Sequence, residues 1–367
     1  MPTSTEERVG LLIVNLGTPD APRSPEVRRY LRQFLSDPRV LDTSALARFL
    51  VLELLILPTR PKKSAEAYAK VWGPEGSPLL VIGRELAVKV QARLGEAVQV
   101  ELAMRYGNPS IESAVDRLER SGVTRLVVFL LYPEYSSAAT GSSIEEILRV
   151  VGKRWNTPYL QIVPPFYDHP AYIEARAAVA RPYLDPMPER VFMSFHGLPE
   201  RQIRKSDPTG GHCLAKPDCC AAMGPANRFC YRAQCFATAR ALTQVLGIPE
   251  ERVTVCFQSR LGRTPWLTPA TDQVLAEEAK KGVRWAVIIP SFVTDCLETL
   301  EELSIRGAET WHQNGGETLQ VVPAVNADDR FVEALIEIAA ENSTWLEAAI
   351  GRSADASPGL ARKASAS

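Results

Sequence analysis

LLIVNLGTPDAP, residues 11–22, sets four consecutive apolar residues against a loop of Asn, Gly, Thr and Pro. A short apolar run bounded by turn residues fits a strand buried on both faces, as parallel α/β sheets require. Similar runs recur at 98–103, 126–131, 191–195, 253–257 and 285–289. Between them, residues 111–118, 144–151 and 274–280 carry apolar side chains at helical spacing. Ser142 followed by Glu145 predicts a capping box at the start of the second of these helices. Alternation of strand and helix predicts parallel sheets.

The second half echoes the first. Strands end in polar loops (Arg105-Tyr106-Gly107, then Gln258-Ser259-Arg260), Gly122 and Gly282 precede the next strands, and those strands end at Pro133 and Pro290. The expected architecture is α/β: two similar doubly wound domains with parallel sheets, residues 1–175 and 176–345, joined near 165–185. Residues 346–367 lack periodicity and are expected to form a disordered tail. Ligands in such sheets bind beyond the carboxyl ends of the strands. Those ends hold Asn15, Arg105, Tyr132, His196, Gln258 and Ser291, so a cleft between the halves is the expected site.

The opening stretch also excludes chemistry. It has a single glycine, Gly17, and prolines that interrupt any nest of phosphate-binding amides, so it is no nucleotide loop. No G-x-S-x-G elbow or H-E-x-x-H helix occurs. A net charge of −1 offers no basic field, and nucleic acid is not an expected partner. The polar N-terminus MPTSTEERVG lacks the pattern of a signal peptide, which predicts a cytoplasmic location. The apolar run 49–57 is too short to span a bilayer. It fits a buried helix, or an apolar lip near 45–58 resting on a membrane surface with Arg60, Lys62 and Lys63 at the headgroups.

Two segments carry candidate chemistry. His196, in VFMSFHGLPE, stands where a buried strand meets a Gly-Pro turn, suited either to a backbone-bonded histidine or to a base or metal ligand. In PSFVTDCLETLEEL, Asp295, Glu298 and Glu302 fall on one face of an expected α-helix, as a solvated row or as a row that guides a cation or protons.

Five of seven cysteines cluster between 210 and 235, spaced Cys213-x5-Cys219-Cys220-x9-Cys230-x4-Cys235. In a reducing compartment such thiols point to metal ligation rather than disulfides. Four thiolates suit a [2Fe-2S] cluster or a zinc ion, though the paired C-x2-C knuckles usual for zinc are absent; free thiols are the remaining reading. Adjacent side chains are expected to diverge, so only one of Cys219 and Cys220 is expected to ligate. Cys256 and Cys296 lie far along the chain, as core or cleft thiols.

These segments together resemble the ferrochelatases, which insert ferrous iron into a porphyrin to complete haem. The resemblance spans about residues 10–340 and includes LLIVNLGTPD, FLSDPRV, GSPLL, MRYGNPSIESAV, LYPEYSSAATGSS, SFHGLP, FQSRLGRTPWLTP and FVTDCLETLEEL. It implies a two-domain fold with a porphyrin cleft between the domains. His196 matches the family's active-site histidine and Glu298 the carboxylate facing it; Glu302 and Asp295 would extend an acidic path for Fe(II). Leu16, Arg105, Tyr106, Tyr132, Ser136, Trp266 and Phe292 would hold the macrocycle. The cysteine insert resembles that of a bacterial subgroup with an internal [2Fe-2S] cluster. Cys235 also resembles a cysteine of relatives without the insert, and is the least secure ligand. The lip favours protoporphyrin IX over coproporphyrin and raises the membrane-surface reading. Rival readings are an iron or redox sensor on the same fold and a cobalt or nickel tetrapyrrole chelatase; the oligomeric state stays open.

Overall fold

Alternate residues of the opening stretch serve two apolar layers. Leu11 and Ile13 join one core and Leu12 and Val14 another, all four fully buried. The computed structural model describes residues 8–260 and 264–356, without the side chains of 352–356. In it, β1 (Arg8–Thr18), β2 (Val98–Gly107), β3 (Val123–Leu130) and β4 (Tyr159–Ile162) form a parallel sheet of order β2-β1-β3-β4. A second parallel sheet, β6-β5-β7-β8, comprises β5 (Arg190–His196), β6 (Val253–Gln258), β7 (Trp285–Pro290) and β8 (Thr318–Val321). The permutation is the same in both, which places the topological switch points at β1/β3 and β5/β7.

Six strands and three helices lie where the periodicity puts them. The edge strands β4 and β8 are only four residues long and half exposed, so YLQI and TLQV carry no continuous apolar signal. Gly17 sits at φ +119°, and a Cβ there would fall 1.8 Å from the Tyr106 carbonyl oxygen. Only glycine lets β1 pass this close to the end of β2.

Three expectations change. The start of the expected 346–367 tail is helical instead: helix Thr344–Ala356 packs against β1 and β2 with Leu346 and Ala349 buried, and residues 357–367 lie outside the described residues. Two or three apolar residues on one face give too little periodicity to announce a helix. The Ser142–Glu145 capping box does not form: a π-turn, Ser137–Gly141, precedes the helix, and the Ser142 hydroxyl bonds Asp37 instead. The segment 45–58 is not a buried helix. Leu46, Phe49, Leu54 and Leu55 are each at least 60% exposed, while Leu52 and Leu57 anchor the segment from below.

The two sheets share a core. Ile13 and Phe129 of the first and Met193 and Phe195 of the second belong to one apolar cluster with helices Pro170–Ala180 and Asp329–Glu341. The latter helix crosses back to the N-terminal half, where Glu333 pairs with Arg93 at 2.6 Å and Asp329 with Lys89 at 3.2 Å.

Candidate functional site

The two switch points meet. Asn15, at the end of β1, donates to Thr294 just beyond β7, and Ser291 donates to Glu134 just beyond β3. His196 ends β5 on this junction. Its Nδ1 lies 2.7 Å from the Gly197 carbonyl, which only accepts, so Nδ1 carries the proton and Nε2 keeps its lone pair. The His196 carbonyl in turn accepts from the Tyr231 hydroxyl at 2.9 Å. Trp266 lies beside this turn, its residue bridged to Pro199 and its ring 3.4 Å from the Cβ position of Gly197. Phe292, partly buried, follows β7.

The acidic row is built differently from the expected α-helical ladder. Glu298–Gly307 is a π-helix, a form that recurs at functional sites. Asp295 precedes it, buried, and is consumed by Thr299, Asn326 and the Ala324 amide, so it braces the turn instead of continuing the row. Glu301 is also buried and is paired with Lys70 and Arg306. Glu302 accepts from the backbone and hydroxyl of Ser259. Glu298 opens the helix, near Tyr30, Tyr68, Arg60 and the thiol of Cys296. Burial and the Glu298 charge raise the Tyr30 and Tyr68 hydroxyls well above the usual phenol range. Burial lowers Arg60, which lies close enough to Glu298 to feel its charge, while Lys62 and Lys63 are exposed. Tyr30, Tyr68 and Arg60 carry no sequence signal, because they come from two N-terminal helices that only folding brings to Glu298.

On the first sheet, Leu16 packs with Leu297, the neighbour of Glu298, against the cluster under the lip. Tyr132 lies 3.3 Å from Ser143, and Ser136 is buried, capping the π-turn through the Ala139 amide. Arg105 and Tyr106 both hold Asp37, at 2.8 Å each. Tyr106 is fully buried, so its ring backs the wall behind Arg105 and presents no face to a macrocycle. A cavity of about 850 Å³ lies outside the end of β6, lined in part by Gln258, Ser259 and Thr264. Trp266 and Glu302 line it and His196 and Glu298 do not, so it flanks the switch-point site.

The cysteine loop is folded around Asp207, whose carboxylate accepts the amides of Thr209, His212 and Cys213; these bonds hold its pKa well below the usual carboxylate range. All five thiols of the cluster are buried. Cys219 and Cys220 do not diverge: their sulfurs are 3.7 Å apart, because the chain there is in consecutive turns and not extended. Cys213 and Cys220 each interact with Cys230. Cys235 bonds the Tyr231 side chain and also lies close enough to Cys230 and Cys220 to feel their charge. Among the described residues no three thiols come within 4.8 Å of one another, as one tetrahedral zinc ion with Zn–S bonds of about 2.3 Å requires. Cys213, Cys219, Cys220 and Cys230 are a donor set that would fit a diiron cluster, with the Arg232 guanidinium, 3.1 Å from the Cys220 sulfur, placed to offset thiolate charge there. Among the described residues the one close group of three potential ligands is His169, Glu337 and Glu341, with both glutamates exposed. There Nδ1 of His169 caps a helix at the Ala171 amide and Nε2 bonds Glu341, so a cation at Nε2 would cost the cap.

The ferrochelatase family model matches residues 8–343. The chain is 43% identical over 334 residues to a ferrochelatase of Coxiella burnetii, covering 90% of this chain and 93% of that one. It is 46% identical over 330 residues to a ferrochelatase of Azotobacter vinelandii, covering 89% and 97%. Among solved structures, SirB from Bacillus subtilis with Fe3+ aligns at a TM-score of 0.53 and 15% identity, over 93% of this chain and 98% of that one, a likeness of fold.

Proposed function

Because the chain belongs to the ferrochelatase family, whose members insert iron into a porphyrin, we propose that His196 and Glu298 carry that reaction at the facing switch points, with protoporphyrin IX as the macrocycle. Insertion of Fe(II) releases two pyrrole protons. The single observation that supports the assignment is the fixed tautomer of His196: Nδ1–H is held by Gly197, so Nε2 has the lone pair that takes a pyrrole proton. Glu298 stands at the start of the π-helix beside Arg60 and the Cys296 thiol, where it would accept the second proton or receive the hydrated ion. Arg105, Leu16, Tyr132, Ser136, Trp266 and Phe292 would frame the macrocycle, with Tyr106 acting behind Arg105. Burial strengthens each of these polar interactions relative to water.

Cys213, Cys219, Cys220 and Cys230 would hold a [2Fe-2S] cluster, with Cys235 left as a core thiol. Bound there, the cluster would supply a one-electron centre and cross-link the loop; metallation itself moves no electrons. The exposed lip would rest on a membrane surface and favour an apolar porphyrin. No described helix is long and apolar enough to cross a membrane.

Assays with Fe(II), Co(II), protoporphyrin IX and coproporphyrin test the substrate. The account expects Fe(II) insertion with protoporphyrin IX preferred; preference for coproporphyrin would overturn the substrate choice.

A further inference from the structure

The thiol loop and the catalytic turn meet on one helix. Cys230 is the N-cap residue of helix Tyr231–Leu246. Residues four apart on that helix, Arg232, Phe236 and Arg240, face the loop. The Arg232 guanidinium touches the sulfurs of Cys220 and Cys219 at 3.1 and 3.8 Å and stacks over Phe236, and Arg240 donates to the Cys220 carbonyl at 3.0 Å. Residues three and four apart, Tyr231, Gln234 and Thr238, face the cleft. Tyr231 donates to the His196 carbonyl, Gln234 accepts the Tyr135 amide at 2.6 Å, and Thr238 donates to Glu134 at 2.7 Å. Gln234 also ties back to the loop through the Arg228 carbonyl. A helix is stiff over four turns, so a rotation that relaxes one face moves the other.

The bond at His196 has particular leverage. The His196–Gly197 peptide leads directly to the carbonyl that fixes Nδ1. Glycine is required there, since a Cβ would fall 2.7 Å from the Gln258 carbonyl oxygen, the oxygen that accepts the Gly197 amide at 2.8 Å. The peptide is thus held at its N–H by β6 and at its carbonyl by the Tyr231 hydroxyl.

We propose that helix Tyr231–Leu246 couples the state of the cysteine loop to metallation, with Tyr231 the positioning residue that aims the His196 imidazole. The inference rests on His196 as the base and deepens that reading. A change at the thiols, whether by metal, oxidation or loss of the Arg232 contact, would reach His196 without touching the porphyrin.

The test uses full-length protein and two readouts: steady-state insertion, and the rate at which diethyl pyrocarbonate carbethoxylates His196, followed by peptide mass. Tyr231→Phe is expected to lower kcat about tenfold with porphyrin KM within about twofold, and to change His196 reactivity at least about threefold. Arg232→Gln is expected to change His196 reactivity in the wild-type background and to add nothing in Tyr231→Phe. Unchanged His196 reactivity in Arg232→Gln, or fully additive effects in the double variant, would overturn the coupling. Arg232→Gln supplies that result even where Tyr231→Phe fails to fold. The reactivity arm does not require His196 to be the base: coupling together with an active His196→Ala enzyme would keep the helix link and discard the catalytic assignment.

Discussion

Glu134 shows how far a single buried residue reaches across this molecule. It follows β3 yet accepts from Ser291 and Thr238 of the other half, and burial pushes its carboxyl up to about 7. A carboxyl raised in the folded state binds its proton more tightly there than in the unfolded chain. Its contribution is therefore full below the ordinary value of 4.5 and is lost as pH rises through 7, by about 3 kcal/mol at the limit. Wild-type Tm is expected to fall between pH 4.5 and 7.5, and Glu134→Gln to flatten that slope; identical slopes would count against it. Nothing in LYPEYSS announces this role, because burial of Glu134 depends on a partner more than 100 residues away. The place of His196, by contrast, was legible: the apolar run before it ends where β5 ends, which sets the histidine at the carboxyl edge of the sheet. Tyr106 marks the opposite outcome. Its motif was readable but its depth was not, since Asp37, 69 residues earlier in the chain, draws its hydroxyl inward.

At the scale of elements, hydrophobic runs located the four central strands and the two longer edge strands, β2 and β6, because a mostly buried strand has few polar positions to blur it. The short edges and the π-helix escaped for the converse reason: four half-exposed residues leave no pattern, and π and α turns share nearly the same side-chain spacing over a few residues. The β1–β2 crossing offers a sharp check. Gly17→Ala is expected to destabilise the fold by at least about 2 kcal/mol in denaturant unfolding, from both the positive φ and the clash with Tyr106; a neutral effect would contradict the close approach. The lip offers another. Leu46→Ser, Phe49→Ser and Leu54→Ser combined remove apolar surface that supports nothing beneath it. Tm is expected to hold within about 2 °C while sedimentation with anionic vesicles drops at least about tenfold. Vesicle binding that persists in this variant would sink the membrane reading.

At the scale of the whole molecule, repetition gives the site its shape. Two sheets of one permutation face their switch points toward each other, so residues far apart in sequence meet at one junction. The C-terminal helices lock this arrangement by returning to the N-terminal half, which is why helix Asp329–Glu341 belongs to both units. The cysteine loop sits outside the repeat, as an addition wired in through one helix. The central claim is that the paired strand ends, and not the thiol loop, perform metallation. The most direct test is Glu298→Gln, with porphyrin affinity read by fluorescence quenching and Fe(II) insertion by haem absorbance. The account predicts porphyrin Kd within about threefold of wild type and kcat lower by at least about 100-fold; near-normal turnover in that variant would contradict it.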